Sequence, residues 1–181
     1  EIKLKETVVL KYSLLTVTTI FLLFLQTNIT AALLVLSHPV PLQDEAITHL
    51  KQAHANEDDH WQLVFFGFTR CKDVCPMSLA NLSMLIQAAD KEQIKLSGTF
   101  VSIDPDRDSD TTLADYTKGF DRNISYLRLE DQELEKFKAT FGVEVNIYTK
   151  NAGNQVNYQV DHSTTAFLID PEDNIRVMFD A

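Results

Sequence analysis

The chain is poor in cysteine, poor in positive charge and free of repeats. It has two cysteines in 181 residues, too few for a disulfide-stapled scaffold. Lys+Arg number 16 against 26 Asp+Glu, a formal net charge of −10. A chain this acidic is a poor candidate for general nucleic-acid binding, which needs a positive face to displace counterions from phosphates. No internal repeat or low-complexity tract is visible. The strongly apolar stretch Tyr12–Leu25 (YSLLTVTTIFLLFL) spans roughly 21 Å as a helix, short of the ~30 Å hydrocarbon core of a bilayer. What is present is apolar material: hydrophobic residues make up 45% and charged residues 23%. That suffices for a core and excludes a fully disordered chain.

Two regions differ in kind. Residues 1–38 carry a net charge of +1 and residues 39–181 a net −11. Tyr12–Leu25 has no charge and no polar face, and it lies behind Lys3, Lys5 and Lys11. It reads as a membrane anchor or a signal-peptide core, and an anchor is preferred. Lysines before it and acid after it place the N-terminus in the cytoplasm and the acidic domain across the membrane. His38–Pro41 (HPVP) reads as a linker, because each proline biases its predecessor away from helix. The expected organisation is thus an N-terminal anchor and linker over 1–38 and a folded domain over 39–181. Glu1 is not a Met and Asp180-Ala181 follows a strand-like run, so both ends are treated as open.

The folded part alternates. Helical spacing covers Gln43–Ala55. Trp61–Phe68 (WQLVFFGF) is a short apolar run expected to be a strand covered on both faces. A helix runs from near Cys75 to Asp90, with Pro76 in its first turn, where no N–H is needed. Thr99–Ile103 is a strand, Asp110–Phe120 a helix and Tyr126–Leu129 a brief strand. Asp131 is placed to cap a helix Glu133–Phe141, which Gly142 ends. Val143–Thr149 and Gln155–Val160 flank a hairpin-type loop at Lys150–Asn154, and Thr164–Ile169 pairs with Asn174–Phe179. This order predicts an α/β fold with a partly parallel central sheet closed by an antiparallel hairpin.

Cys71 and Cys75 lie on the turn from the first of these strands into its helix. Residues i and i+4 share a helix face. The helix N-terminus favours thiolate over thiol, and Arg70 and Lys72 add positive charge. Such a pair closes as a disulfide or offers two soft ligands to a metal. A metal needs a third ligand. Among the histidines, His38, His49, His54 and His60 read as solvated surface, although His54 and His60 bracket Glu57-Asp58-Asp59, which could hold a cation. His162, on the turn before Thr164–Ile169, is expected at the sheet end beside the first helix. On residue type alone an ordinary turn histidine is the simpler reading.

The motifs add up to more than their parts. Phe66-Gly67-Phe68-Thr69-x-Cys71-x-Asp73-x-Cys75-Pro76, then Ser102-Ile103-Asp104-Pro105-x-Arg107-Asp108, then Asp161-His162-Ser163 before a strand ending in Asp170-Pro171, resemble the Sco/SenC family in order and spacing over about Trp61 to Phe179. Its members are thioredoxin-like, membrane-anchored copper proteins that help assemble cytochrome c oxidase. The resemblance implies a thioredoxin-like fold, copper, Cu(I) or Cu(II), bound by Cys71, Cys75 and His162, and delivery to oxidase subunit II, with other copper chaperones as further partners. It implies a site outside the cytoplasm, in a bacterial periplasm or a mitochondrial intermembrane space. Asp161 is the nearest candidate for orienting the His162 ring. Asp104–Asp108 is expected to be structural, with Arg107 paired to a carboxylate, and Met77 and Met84 are expected in the core. Arg70 and Lys72 depart from the family's usual His and Pro. Gln43–Ala55 reads as helix where the family has a Gly-rich hairpin, and a helix expected after Phe179 is missing.

Three functions fit these residues. A metallochaperone is a carrier rather than an enzyme. A thiol–disulfide oxidoreductase uses the Cys71–Cys75 pair to reduce partner cysteines without metal. A peroxidase-like thiol protein attacks peroxide through one cysteine. The four-residue spacing, and a His rather than a Pro on the facing turn, favour metal.

Overall fold

A computed structural model describes residues 33–55, 59–149 and 158–181. The Tyr12–Leu25 segment, the Lys150–Asn154 loop and Glu57-Asp58 lie outside the described residues. The elements run β1 (Leu33–Pro41), α1 (Asp44–Ala53), β2 (Trp61–Gly67), α2 (Val74–Lys91), β3 (Leu96–Ser102), α3 (Asp110–Lys118), β4 (Ile124–Leu127), α4 (Asp131–Phe141), β5 (Val145–Thr149), β6 (Tyr158–His162), β7 (Thr165–Ile169) and β8 (Asn174–Asp180).

Six strands form one sheet in the order β1-β8-β7-β2-β3-β4. β2, β3 and β4 are parallel, β7 runs antiparallel to β2, and β7–β8 is the expected closing hairpin. This is the mixed α/β, thioredoxin-like architecture. β5 and β6 form a separate antiparallel ribbon.

β2 decides where the core lies. Its alternate side chains enter opposite faces: Val64 and Phe66 join one cluster with α1 and α4 residues, while Leu63 and Phe65 join another with Leu79, Leu82 and Ile86 of α2. Both faces are covered, so the strand reads as a continuous apolar run. Burial of each of its phenylalanines contributes about 1.5–3 kcal/mol. Helix ends follow local chemistry. Ser109 Oγ accepts from the Thr112 N–H at 3.2 Å ahead of α3. Gly142 ends α4 at φ 65°, a left-handed conformation that glycine adopts without a Cβ penalty.

Three expectations change. His38–Pro41 is not a linker but the end of β1. β1 is an edge strand with an irregular register between Val35 and Val40, and an edge tolerates prolines because one side of its ladder needs no donor. α4 begins at Asp131, with Glu130 preceding it. Met77 and Met84 are exposed rather than in the core. The face that α2 buries is Cys75, Ser78, Leu79, Leu82, Ser83 and Ile86, and the methionines fall opposite it.

Candidate metal centre

The centre lies where β2 gives way to α2. Cys71 sits on the intervening turn, held by its N–H to the Phe68 carbonyl at 3.2 Å. Cys75 is in the first turn of α2 and is fully buried. Its N–H donates to Cys71 Sγ at 3.3 Å, so the Cys71 sulfur occupies the helix N-terminus. Gly67 opens the space behind. A Cβ there would stand 2.6 Å from the Phe100 ring and 3.0 Å from Cys75 Sγ. The close approach of the Gly67 backbone is therefore what gives the buried sulfur its place.

His162 arrives from the opposite direction, as the last residue of β6 facing Val145 of β5. Its Nε2 lies 3.7 Å from Cys75 Sγ. Its Nδ1 is 2.7 Å from the Ser163 carbonyl oxygen. A carbonyl only accepts, so Nδ1 carries the proton and Nε2 keeps its lone pair toward the sulfur. The rings of Phe68 and Phe65 pack edge-on against the imidazole at 5.9 and 6.4 Å. Asp161 is exposed, on the outer side of β6, because strand side chains alternate. The Ser163 carbonyl, not the Asp161 carboxylate, therefore fixes the ring.

Burial governs the charge state. It pushes the Cys75 thiol up to about 12, outweighing the Phe68 backbone contact that lowers it, with Cys71 and Asp108 adding to the rise. The thiolate expected at this helix N-terminus is therefore absent at Cys75: desolvation in an apolar pocket exceeds the helix-end effect. Burial also holds His162 below the ordinary imidazole range, against the Ser163 carbonyl and the Asp161 charge. A neutral thiol thus faces a neutral imidazole. Among the described residues no three His, Cys, Asp or Glu side chains are gathered as a ready-made cage for an ion. Cys75 and His162 meet, and Cys71 is turned to the Cys75 amide.

The Asp104–Asp108 segment is structural, as expected, and braces both halves of the centre. Buried Asp108 accepts from the Thr69 N–H at 3.2 Å, from Thr69 Oγ1 at 2.5 Å and from Ser102 Oγ at 2.7 Å, pinning the turn that leads to Cys71. Asp104 accepts from Arg107 Nε at 2.5 Å and from the Tyr158 hydroxyl. Tyr158 carried no motif. Only its place four residues before His162, on the same strand face, could have marked it.

The other histidines divide. His38 is exposed, and His49 packs on Phe137 at 6.1 Å. His54 and His60 are buried, not solvated. His54 Nε2 is 2.8 Å from Thr99 Oγ1, and the two rings lie 5.6 Å apart, edge to face. The hydroxyl neighbours of His54 come from β3 and β4 and were invisible in the local sequence.

Comparison with known proteins gives the family. The SCO1/SenC family model matches residues 46–181. The chain belongs to the SCO1/SenC family. The SCO2-like protein RT0576 of Rickettsia typhi is 33% identical over 115 residues, covering 61% of this chain and 54% of that protein. The human mitochondrial SCO1 homologue is 30% identical over 129 residues, 69% of this chain and 42% of its own length. The chain thus spans about half the length of the curated relatives it matches. Apo Sco1 from Thermus thermophilus superposes with a TM-score of 0.63 at 29% identity, covering 81% of this chain and 84% of that one. Yeast Sco1 with copper bound gives a TM-score of 0.60 at 26% identity, covering 78% and 77%.

Proposed function

We propose that this SCO1/SenC domain is a copper chaperone of cytochrome c oxidase assembly. It holds copper through Cys71, Cys75 and His162 and hands it to oxidase subunit II. The observation that carries the reading is the approach of His162 Nε2, lone pair forward, to Cys75 Sγ at 3.7 Å. Two sulfurs and an imidazole suit Cu(I), a soft ion content with few ligands. Yeast Sco1, a relative in fold and sequence, has been solved with copper bound. Cys71 would leave the Cys75 amide to complete the ligand set, and copper would displace the Cys75 proton.

A reductase is less well supported. It would have to attack through Cys71, the more exposed of the two sulfurs, and the feature that favours a metal over thiol exchange is the imidazole facing Cys75. In this reading Tyr12–Leu25 tethers the domain to a membrane on its extracytoplasmic side. Among the described residues no helix is long and apolar enough to cross a membrane, and Tyr12–Leu25 lies outside them.

The test is copper stoichiometry and transfer. The reduced protein should take up one Cu(I) per chain and lose that capacity in Cys71→Ser and Cys75→Ser. It should then load a peptide carrying the metal-binding segment of subunit II. Equal copper retention by the serine variants would end the reading.

A further inference from the structure

We infer that Arg107 and Tyr158 are positioning residues that set where His162 stands relative to the cysteines. The inference rests on the reading of His162 as a copper ligand. Its starting point is topology. The strand that carries His162 pairs only with β5 among the described residues, and this ribbon is not part of the six-stranded sheet that carries the Cys71–Cys75 turn. After His162 the chain enters β7 at Thr165, which the sheet holds. Before it no ladder among the described residues ties β6 to that sheet, and on that side the hold must come from side chains.

Arg107 supplies the link. Its Nε donates to Asp104 at 2.5 Å, and its Nη1 donates to the Tyr158 carbonyl at 3.1 Å. Its guanidinium lies 3.6 Å from the centre of the Tyr158 ring. The Tyr158 hydroxyl donates to the other oxygen of Asp104. Tyr158 is thus held at backbone, ring face and hydroxyl by one loop. Asp104 is 3% exposed, so these bonds form largely out of water, where planar, charge-assisted contacts hold geometry best.

The grip is passed along the strand. Tyr158, Val160 and His162 are the half-buried residues of β6, with Gln159 and Asp161 exposed between them. Four residues of extended chain span roughly 13 Å and allow little slack. Fixing Tyr158 therefore fixes the height at which His162 emerges. Phe68 closes the arrangement: its ring centre lies 5.9 Å from Arg107 and 5.9 Å from the His162 ring. The same loop reaches the cysteine side through Asp108 and Thr69. One short loop after β3 is thus the common reference for both halves of the centre.

The test compares wild type, Tyr158→Phe, Arg107→Gln and His162→Ala, with copper and without it. Tyr158→Phe removes one hydroxyl and keeps the ring, so it retains the fold even if Arg107→Gln does not. In the metal-free protein, nitrogen-15 spectra of the His162 ring should show the single Nδ1–H tautomer. That signal should broaden in both positioning variants, with faster amide exchange at Val160 and His162. With Cu(II) bound, both variants should keep the sulfur-to-copper absorption but lose part of the imidazole nitrogen coupling in the electron paramagnetic resonance spectrum. Their affinity should fall about 10-fold, the scale of outer-shell changes. Wild-type ring signals and nitrogen coupling in both variants would overturn the inference, even if their melting temperatures fell. If His162→Ala keeps the wild-type copper spectrum, the ligand reading fails instead, and the metal-free ring signal still decides whether Arg107 and Tyr158 hold the imidazole.

Discussion

His54 is a buried imidazole and His162 a half-buried one, held at different places in one fold, and their neighbours differ in chemistry. His54 is ringed by hydroxyls: Thr99 and Ser97 face Nε2 at 2.8 and 3.5 Å, and Ser125 faces Nδ1 at 3.5 Å. Burial, helped by His60, holds it down to about 4. His162 spends one nitrogen on a carbonyl and turns the other to a sulfur. A histidine with both nitrogens engaged in the interior is a packing element. One with a fixed tautomer and a lone pair aimed at a soft atom is equipped for a metal. A lowered basicity does not distinguish the two, but the identity of the facing atom does.

The sharpest way to break this contrast is substitution at each histidine. His162→Ala should weaken copper binding about 100-fold or more, beyond the range typical of outer-shell changes, while altering stability by less than about 1 kcal/mol. His54→Ala should do the reverse. Copper affinity measured by chelator competition should stay at the wild-type value, and denaturant unfolding should show a loss of about 1–3 kcal/mol from unpaired buried hydroxyls and a cavity. Copper loss in both variants, or in neither, would erase the distinction.

Gly67→Ala probes the metal side through packing. The added methyl meets Phe100 and Cys75 Sγ, so a stability loss of about 1–3 kcal/mol is expected from overpacking, together with weaker copper binding. A variant as stable and as copper-competent as wild type would show that the sulfur has room to move.

The pH dependence probes the structural side. The unfolded chain protonates His54 near 6.5, whereas the folded protein resists until about 4. Between these values the unfolded state binds more protons, so folding stability falls as pH drops through that window. Above about 6.5 the residue contributes no pH dependence. The loss should reach about 1–3 kcal/mol by pH 4, read as the difference between wild type and His54→Gln in urea titrations. Parallel curves for the two proteins would contradict the assignment. The smallest effect is expected at Met77→Ala: the side chain is 59% exposed, so stability should change by no more than about 0.5 kcal/mol.

What the sequence disclosed was set by locality. The run Trp61–Gly67 announced a strand because both its faces are apolar, and Cys71 and Cys75 were marked by spacing alone. His162 needed the whole motif set, since nothing within β6 distinguishes it from a turn residue. The burial of His54 was hidden because its partners lie 43 to 71 positions away. Tyr158 and Arg107 were hidden for the same reason, being 51 apart in the chain. The charge state of Cys75 was misread because helix-end and cation effects are visible in sequence and desolvation is not. The HPVP strand was misread because two prolines look the same in a linker and on a sheet edge, and β8 decides between them.

X-ray absorption of the Cu(I)-loaded protein tests the central claim most directly, since it counts sulfur and nitrogen neighbours of the metal. The account predicts two sulfurs and one imidazole nitrogen in wild type, with the nitrogen contribution gone in His162→Ala. A wild-type spectrum without nitrogen, or one unchanged by that substitution, would contradict it.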